Sequence, residues 1–300
     1  MYPELCLGTA QFGLDYGITN KNGQVSQEEI QKILQNALSN KILYLDTAQN
    51  YGDAEKRIGK TNLIKNHFKI ISKFSNLSNL EDTYERLKSW QIGLNKSLDN
   101  LGISKLDGFM IHNKKDILGK DGPLIMKWME DLKKESIVKS IGISIYDEED
   151  IYQIPIEKFD LIQLPLSIYD QRFLKKGIIN KLYSLGKKIY IRSIFLQGLI
   201  LQDSSKWPNF LSKKFKKHHK KTEEKINKKN LSMLEEALGF AFSIEKIDAV
   251  LIGITNNNEL SNILDILNSI KKNKKDYLHK ELDLNWGIRK DIDPRQWPQN

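Results

Sequence analysis

The run Leu43-Tyr44-Leu45-Asp46-Thr47-Ala48-Gln49-Asn50-Tyr51-Gly52 predicts a short buried strand that ends at Asp46 and continues into a loop. Its apolar first half is typical of a buried strand, and the amide and glycine residues near its end are typical turn formers. Tyr51 follows Asp46 at a distance of five residues, on the loop. A carboxylate at a strand end with a phenol returning towards it fits an acid–base pair on an α/β scaffold. An Asp that caps the next helix, beside a packed Tyr, fits the same residues.

Outward from this run, the chain alternates short apolar strands with helices. Ser26 and Glu29 have the spacing of a capping box, which predicts a helix that starts after Ser26 and reaches Asn40. The predicted strands are 5–10, 42–46, 68–74, 106–112, 138–145, 159–164, 188–194 and 249–254. The other predicted helices are 54–64, 80–101, 124–135, a short one near Asp147, 175–185, 230–244 and 258–270.

Eight strand–helix units in one run predict a closed parallel (β/α)8 barrel, or TIM barrel, that forms a single domain over residues 1–300. The alternative is a doubly wound open sheet, which usually carries a GxGxxG turn after its first strand. Residues 7–13 lack that turn, so the barrel is favoured. A basic loop at about 203–228 and a C-terminal tail at about 271–300 lie outside the repeating units.

Composition narrows the class of protein. A hydrophobic fraction of 40% is ample for a packed core, and a single cysteine excludes a disulfide framework. We expect a cytoplasmic protein, because no signal peptide or membrane span is recognisable. The net charge of +9 comes mostly from Lys interleaved with Asp and Glu, which argues against nucleic-acid binding. The lysine-rich run 213–221 fits either an anion-binding flap or a solvated loop.

Ionisable residues follow three consecutive predicted strands. Asp46 ends the second strand with Tyr51 on its loop, Lys73 ends the third, and His112 ends the fourth. Because the carboxyl ends of barrel strands meet on one face, we expect these four side chains to share a pocket mouth. Taken singly, Lys73 also fits a strand-end lysine that reaches solvent, and His112 a histidine before a turn.

This set of residues suits one kind of chemistry. A tyrosine has a pKa of about 10, so its pKa must fall for it to act as a general acid at neutral pH. The Lys73 ammonium would lower it, and Asp46 would keep Lys73 charged through an ion pair. His112 would orient a substrate oxygen. Protonation of a carbonyl oxygen as negative charge develops suits carbonyl reduction by hydride.

The segments 7–13, 45–52, 72–73 and 111–112 resemble the aldo-keto reductases, in that order and at comparable spacing. The resemblance implies that Tyr51 is the acid, that Asp46 and Lys73 tune it, and that His112 orients the carbonyl. Segments 140–144, 192–199 and 251–260 resemble the family's cofactor segments. The cofactor-binding residues that the resemblance implies are Ser144, Gln163, Arg192, Ser193, Phe195, Gln197, Gly198, Gly253, Thr255, Asn256 and Glu259.

The chain departs from the family pattern at several positions. Ile145 follows Ser144 where the family often has Asn, and Arg192 occupies a ring-stacking position that is commonly aromatic. The start of the last predicted helix lacks the Arg or Lys typical of NADP-preferring members. The resemblance to the family favours NADP(H) as the cofactor, with NAD(H) as the alternative. Lysines of the run 213–221 could take the place of the missing Arg or Lys as partners of the 2′-phosphate. The Gly253 turn before that helix should present free backbone N–H groups to a phosphate.

We therefore expect NAD(P)H-dependent reduction of an aldehyde or ketone. The alternatives are a cofactor-binding regulatory module with little turnover and a barrel lyase that forms a Schiff base on Lys73. Expected partners are a small carbonyl substrate and no nucleic acid, membrane or metal, with the chain a monomer or weak oligomer. Four residues of the tail suggest an anionic or sugar-like substrate, unless they only pack the tail: Trp286, Arg289, Arg295 and Trp297.

Overall fold

A closed barrel of eight parallel strands forms the centre of the computed structural model, which describes residues 2–64, 67–75, 82–272 and 277–298. Neighbours along the chain pair in sequence order, and the last strand pairs with the first. The strands are Glu4–Gly8 (β1), Tyr44–Asp46 (β2), Lys69–Phe74 (β3), Gly108–Ile111 (β4), Ile141–Ser144 (β5), Leu161–Pro165 (β6), Lys188–Arg192 (β7) and Ala249–Gly253 (β8). The predicted (β/α)8 barrel is confirmed.

Helices surround the barrel and also occupy its loops. They are Ala10–Gly13 (α1), Gln27–Ser39 (α2), Ala54–Gly59 (α3), Thr83–Leu101 (α4), Lys114–Leu118 (α5), Gly122–Lys134 (α6), Asp150–Gln153 (α7), Arg172–Lys175 (α8), Ile178–Ser184 (α9), Lys213–Lys228 (α10), Met233–Phe242 (α11), Asn257–Lys272 (α12) and Arg289–Ile292 (α13). Short 3-10 turns lie at Ile156–Lys158, Leu199–Leu201, Ser204–Lys206, Leu278–Lys280 and Pro294–Gln296. No helix within the described ranges is long and apolar enough to cross a membrane.

Several predicted bounds differ from the observed ones for local reasons. The helix predicted over 175–185 is interrupted at Gly177, whose left-handed φ of 69° separates α8 from α9. The start predicted at residue 80 lies outside the described residues, as do positions 273–276 and 299–300 of the tail. The Ser26 cap is confirmed, since its side chain accepts a hydrogen bond from Glu29 N. Glu29 does not close the capping box, because its carboxylate binds α12 instead.

The lysine-rich run is helical, so the loop predicted over 203–228 is wrong for residues 213–228. Phe215, His219, Thr222 and Ile226 are buried at three- and four-residue spacing, and most of the lysines between them are exposed. Lys is a good helix former, so a lysine-rich run with this buried stripe folds as an amphipathic helix.

One buried carboxylate holds the C-terminal tail against the barrel. Glu236 on α11 accepts hydrogen bonds from Leu278 N (2.9 Å), His279 N (2.7 Å) and His279 Nδ1 (2.7 Å). Glu236 is fully buried, so these bonds compensate for the water that its carboxylate loses on folding.

We expect Glu236→Ala to lower the free energy of unfolding by about 2–4 kcal/mol, because three buried donors lose a charged acceptor. Urea unfolding measures this, and limited proteolysis should cut within residues 277–298 faster than in the wild type. Glu224→Ala, on the exposed face of α10, is the control. Equal stability of the two variants would contradict this role of Glu236.

Candidate active site

The inward-facing residues of the barrel form two layers. Side chains two positions apart point to the same face of a strand. The lower layer is an apolar cluster inside the barrel that contains Cys6, Tyr44, Ile71, Met110, Leu161, Tyr190 and Leu251. The residues two positions further along these strands are Gly8, Asp46, Lys73, His112, Gln163, Arg192 and Gly253. Six of these seven were predicted site residues, and together they form a layer, called here the polar layer, on top of the apolar cluster, which we call the apolar plug.

A buried ion pair lies at the centre of the polar layer. The Lys73 ammonium donates to Asp46 Oδ1 and also to the carbonyl oxygen of Thr47 at 3.1 Å. Gln163 Nε2 donates to Asp46 Oδ2 at 2.8 Å. Lys73 is 1% and Asp46 2% exposed, so neither charge is hydrated. Each is stabilised by the other and by the hydrogen bonds from these neighbours. The pairing predicted for Asp46 and Lys73 is confirmed.

Two rings of the predicted set lie beside this pair. Lys73 Nζ is 5.0 Å from the centroid of the Tyr51 ring. Tyr51 meets His112 edge to face, with ring centroids 5.8 Å apart and planes at 80°. Tyr51, His112 and Asp46 line the same cavity, while Lys73 is buried beneath it. The structure therefore brings all four residues together at the C-terminal face of the barrel.

The expected lowering of the Tyr51 pKa is wrong for the free protein. Burial raises the pKa of Tyr51 to about 12, although the Lys73 ammonium acts in the opposite direction and Asp46 adds to the rise. The free-energy cost of burying a phenolate is larger here than the stabilisation that the Lys73 ammonium provides, because the Asp46 carboxylate partly cancels the charge of Lys73. Tyr51 therefore keeps its proton at neutral pH.

His112 is a neutral imidazole at neutral pH. Burial, together with the positive charges of Lys73 and Arg192, lowers its pKa to about 3. Its Nδ1 is buried and has no hydrogen-bond partner among the described residues. A buried lone pair without a partner costs less than a buried N–H without one, which favours the tautomer with hydrogen on Nε2. His112 can then donate a hydrogen bond into the cavity.

We expect His112 to make the protein less stable in acid. Because the folded-state pKa is below the ordinary value of 6.5, its contribution to stability is present above pH 6.5 and is lost as the pH falls towards 3. Between pH 6.5 and 4.5 the wild type should lose about 2 kcal/mol more than His112→Asn. Urea unfolding at the two pH values measures this difference. A parallel loss in both proteins would show that His112 does not titrate in this way.

A cavity of about 780 Å³ opens above the polar layer and continues beyond it. Nine further residues of the predicted set line it: Gln163, Arg192, Ser193, Phe195, Gln197, Gly198, Gly253, Thr255 and Glu259. Ser144 and Asn256 do not line it; Ser144 is buried, and its Oγ lies 3.5 Å from Arg192 Nη2. The volume is within the range of about 300–1,000 Å³ typical of ligand sites.

The segment between β1 and α2, which is α1 and the loop after it, supplies lining residues that sequence reasoning missed. It includes Gln11, Tyr16, Gly17, Thr19, Asn20, Lys21 and Asn22. Gln197 binds this loop: its Oε1 accepts from Ile18 N at 3.1 Å, and its carbonyl oxygen accepts from Thr19 Oγ1 at 2.9 Å. A Cβ atom at Gly198 would lie 2.0 Å from Thr19 Oγ1, so this contact requires glycine. The polar loop residues carried no strand periodicity that would have pointed to the site.

The guanidinium of Arg192 lies over the ring of Tyr146, another lining residue that sequence reasoning missed. The guanidinium carbon is 4.0 Å from the centroid of the Tyr146 ring, and Arg295 also lies over that ring at 4.4 Å. Arg192 Nη2 donates to the carbonyl oxygen of Ile145 at 3.3 Å. These partners are neutral, so Arg192 brings a net positive charge to the cavity wall.

The start of α12 differs from the expected phosphate site, because three of its backbone donors are already used. Thr255 N donates to Glu259 Oε2 (2.8 Å), and Asn257 N donates to Glu29 Oε1 on α2 (2.6 Å). Glu259 N donates to Asn256 Oδ1 at 2.9 Å. The expectation of free N–H groups after Gly253 is wrong for these three amides.

The tail arginines and tryptophans do not line the cavity, so they do not support an anionic or sugar-like substrate. Arg289 and Arg295 both form ion pairs with Asp147 and Asp293. Trp286 donates to Asp291 and stacks on Phe215, and Trp297 donates to the carbonyl oxygen of Lys290. These four residues instead hold the tail against the rest of the protein through ion pairs, hydrogen bonds and ring packing.

In the described part of the chain, no group of three or more His, Cys, Asp or Glu residues could hold a metal ion.

Comparisons with known proteins agree with this architecture. A model of the Aldo/keto reductase family matches residues 4–283. The aldo-keto reductase AKR11C1 from Bacillus halodurans, in its holo form, has the same fold with a TM-score of 0.68 at 18% identity, covering 92% of this chain and 94% of that one. A "putative aldo-keto reductase" from Pseudomonas aeruginosa has a TM-score of 0.63 at 18% identity, covering 89% and 90%. At such identities, these structures establish the fold alone. No curated protein sequence matches the chain.

Proposed function

The chain belongs to the aldo/keto reductase family, and we propose that it reduces an aldehyde or ketone to the alcohol with a nicotinamide cofactor. The observation that carries this proposal is the placement of Tyr51 and His112 in one cavity above the buried pair of Asp46 and Lys73. The cofactor, when bound, supplies the hydride that the carbonyl carbon accepts.

In this proposal the residues of the protein donate the proton and orient the substrate. The Nε2–H of His112 binds the carbonyl oxygen and polarises the bond. The Tyr51 hydroxyl donates its proton to that oxygen as negative charge develops there. The Lys73 ammonium stabilises the phenolate that remains, and Asp46 keeps Lys73 charged and fixed in place. Gln163 holds the second oxygen of Asp46, which fixes the orientation of the carboxylate.

The residues around the cavity fit a nicotinamide cofactor. Gln163 keeps its side-chain oxygen and one N–H for a carboxamide, because among the described residues its side chain bonds only to Asp46. Ser144 pairs with Gln163 on the neighbouring strand but lies outside the cavity lining, so the proposal assigns it no contact with the cofactor. Ser193, Phe195 and Gly198 lie on the segment after β7, where barrel enzymes frequently bind phosphate. Either NADH or NADPH satisfies this proposal.

The other two functions fit the site less well. A Schiff base requires a neutral Lys73 amine. Burial by itself would lower the pKa of Lys73, but the charge of Asp46 raises it above its usual value, so the amine stays protonated. A regulatory module without turnover would not need the Tyr51 hydroxyl and the His112 imidazole in one cavity.

The proposal is tested by titrating purified protein with NADH and NADPH in a calorimeter and then assaying cofactor oxidation with a panel of aldehydes and ketones. We expect binding of at least one cofactor and turnover with at least one carbonyl compound. Binding without turnover across the panel would favour the regulatory module. Borohydride trapping of a carbonyl compound on Lys73 would favour the lyase.

A further inference from the structure

Tyr146 joins the wall of the cavity to the C-terminal tail. Two guanidinium groups lie over its ring, that of Arg192 at 4.0 Å from the ring centroid and that of Arg295 at 4.4 Å. Tyr146 and Arg192 line the cavity, whereas Arg295 does not. One of the two contacts on the ring therefore comes from the polar layer, and the other comes from a tail residue outside the cavity.

The ring of Tyr146 has few other partners. It belongs neither to the main apolar core nor to the apolar plug. Among the described residues, it contacts no aromatic ring and its hydroxyl makes no hydrogen bond. The backbone is held separately, because Tyr146 N donates to Asp150 Oδ2 at 3.0 Å and Asp150 is fully buried. The orientation of the ring therefore depends largely on the two arginines.

Two carboxylates fix the plane of the Arg295 guanidinium. Asp293 is 3% exposed, and its two oxygens accept from Arg295 Nε (2.9 Å) and Nη2 (2.6 Å). Asp147, the residue after Tyr146, accepts from Nη2 at 2.7 Å. A planar guanidinium held in this bidentate way is pre-organised to stack on an aromatic ring.

We propose that Arg295 is a positioning residue: its contact with Tyr146 keeps this ring in the cavity wall beside Arg192, and it thereby sets the affinity for the carbonyl substrate. This inference rests on the proposed function, which places the substrate in this cavity. Arg295 acts only through the ring, since it does not line the cavity itself. It also lies beyond residues 4–283, the part of the chain that the family model matches.

The loss of Arg295 should change KM and leave kcat almost unaltered. A guanidinium over an aromatic ring at a partly exposed site is worth about a fivefold change in an equilibrium constant. Without it, fewer molecules hold the Tyr146 ring in the wall, and the apparent affinity for substrate falls with that fraction. Bound substrate restores the ring, so the rate at saturation should persist.

Steady-state kinetics of Arg295→Ala and Arg289→Ala test the inference, with the carbonyl compound that the wild type reduces best. Arg289 is the matched control, because it pairs with the same carboxylates, Asp147 and Asp293. The described cations over the Tyr146 ring are Arg192 and Arg295, and Arg289 is not one of them.

We expect Arg295→Ala to raise KM about fivefold with kcat within about twofold of the wild type, and Arg289→Ala to leave both within about twofold. Crystal structures of the two variants provide a readout that does not depend on activity. The Tyr146 ring should be displaced in Arg295→Ala and in place in Arg289→Ala.

An unchanged KM in Arg295→Ala would overturn the inference. The same rise in both variants would also overturn it, because attachment of the tail would then explain the effect, and so would a fall in kcat without a change in KM. If Arg295→Ala fails to fold, Arg295→Lys replaces it in the same tests, since it keeps the charge for Asp293 but lacks the planar group.

The crystal structures separate this inference from the proposed function. If the wild type reduces no carbonyl compound, the proposed function fails, and the position of the Tyr146 ring decides the role of Arg295 by itself. A ring that stays in place without the arginine would overturn that role.

Discussion

Tyr51→Phe should lower kcat for carbonyl reduction by about 10²–10⁴-fold while cofactor affinity stays within about twofold. The change removes one oxygen, the proposed proton donor. The ring remains, and with it the edge-to-face contact with His112 and the position 5.0 Å from Lys73 Nζ. Binding and fold should therefore persist while the chemical step slows.

Single-turnover kinetics with saturating cofactor measure the chemical step directly, and calorimetry measures the affinity. Tyr16→Phe is a matched control, because Tyr16 also lines the cavity but lies on the loop after β1. We expect a far smaller effect from it. If Tyr51→Phe reduced carbonyl compounds within about threefold of the wild type, another group would be the proton donor and the assigned role of Tyr51 would be wrong.

Lys73→Met should destabilise the protein by about 3–5 kcal/mol, because it leaves the Asp46 carboxylate buried with no cation beside it. Gln163 alone would then hold that carboxylate. Activity should fall as well, since the phenolate of Tyr51 loses the charge that stabilises it. Urea unfolding at pH 7 measures the stability difference.

The pH dependence of this difference follows from the raised pKa of Lys73. Asp46 raises that pKa against the effect of burial. The ammonium's contribution is therefore complete below the ordinary lysine pKa of about 10.5 and is lost as the pH rises through the higher folded-state value. The gap between wild type and Lys73→Met should be constant from neutral pH to about pH 10.

Asp46→Asn combined with Lys73→Met provides the control for the ion pair. The double variant removes both charges, so it should recover part of the stability that Lys73→Met loses. It should not recover activity, because the phenolate still lacks a cation. Additive losses of stability in the double variant would mean that the two charges do not stabilise each other.

Much of the polar layer could be predicted from local sequence. Asp46, Lys73 and His112 each follow an apolar strand, and parallel strands in a barrel present their carboxyl ends on one face. Gln163 and Arg192 were expected from the resemblance to the family, and in the structure each lies two positions after a residue of the apolar plug. These positions follow from the two-residue alternation of side chains along a strand and from the closure of eight strands into a barrel. Both features can be predicted from the pattern of apolar residues in the sequence.

The partners of α12 could not be predicted in the same way. Ser26 and Glu29 have the spacing of a capping box, and only the packing of α2 against α12 directs the Glu29 carboxylate to Asn257. The Lys213–Lys228 helix was missed because lysines dominate its composition, and because two of its four buried positions, His219 and Thr222, are not apolar residues. The tail arginines are paired with Asp147, which is distant in sequence.

The sequence by itself determined that this chain is a (β/α)8 barrel with Asp46, Tyr51, Lys73 and His112 near one another at its carboxyl face. Periodicity and strand order are sufficient for that, because backbone geometry fixes where strand ends lie. Only the tertiary structure decided the pKa of Tyr51 and the charge at α12. Both depend on burial and on carboxylates brought together from separate segments, and desolvation and Coulomb energies are properties of that assembled surrounding.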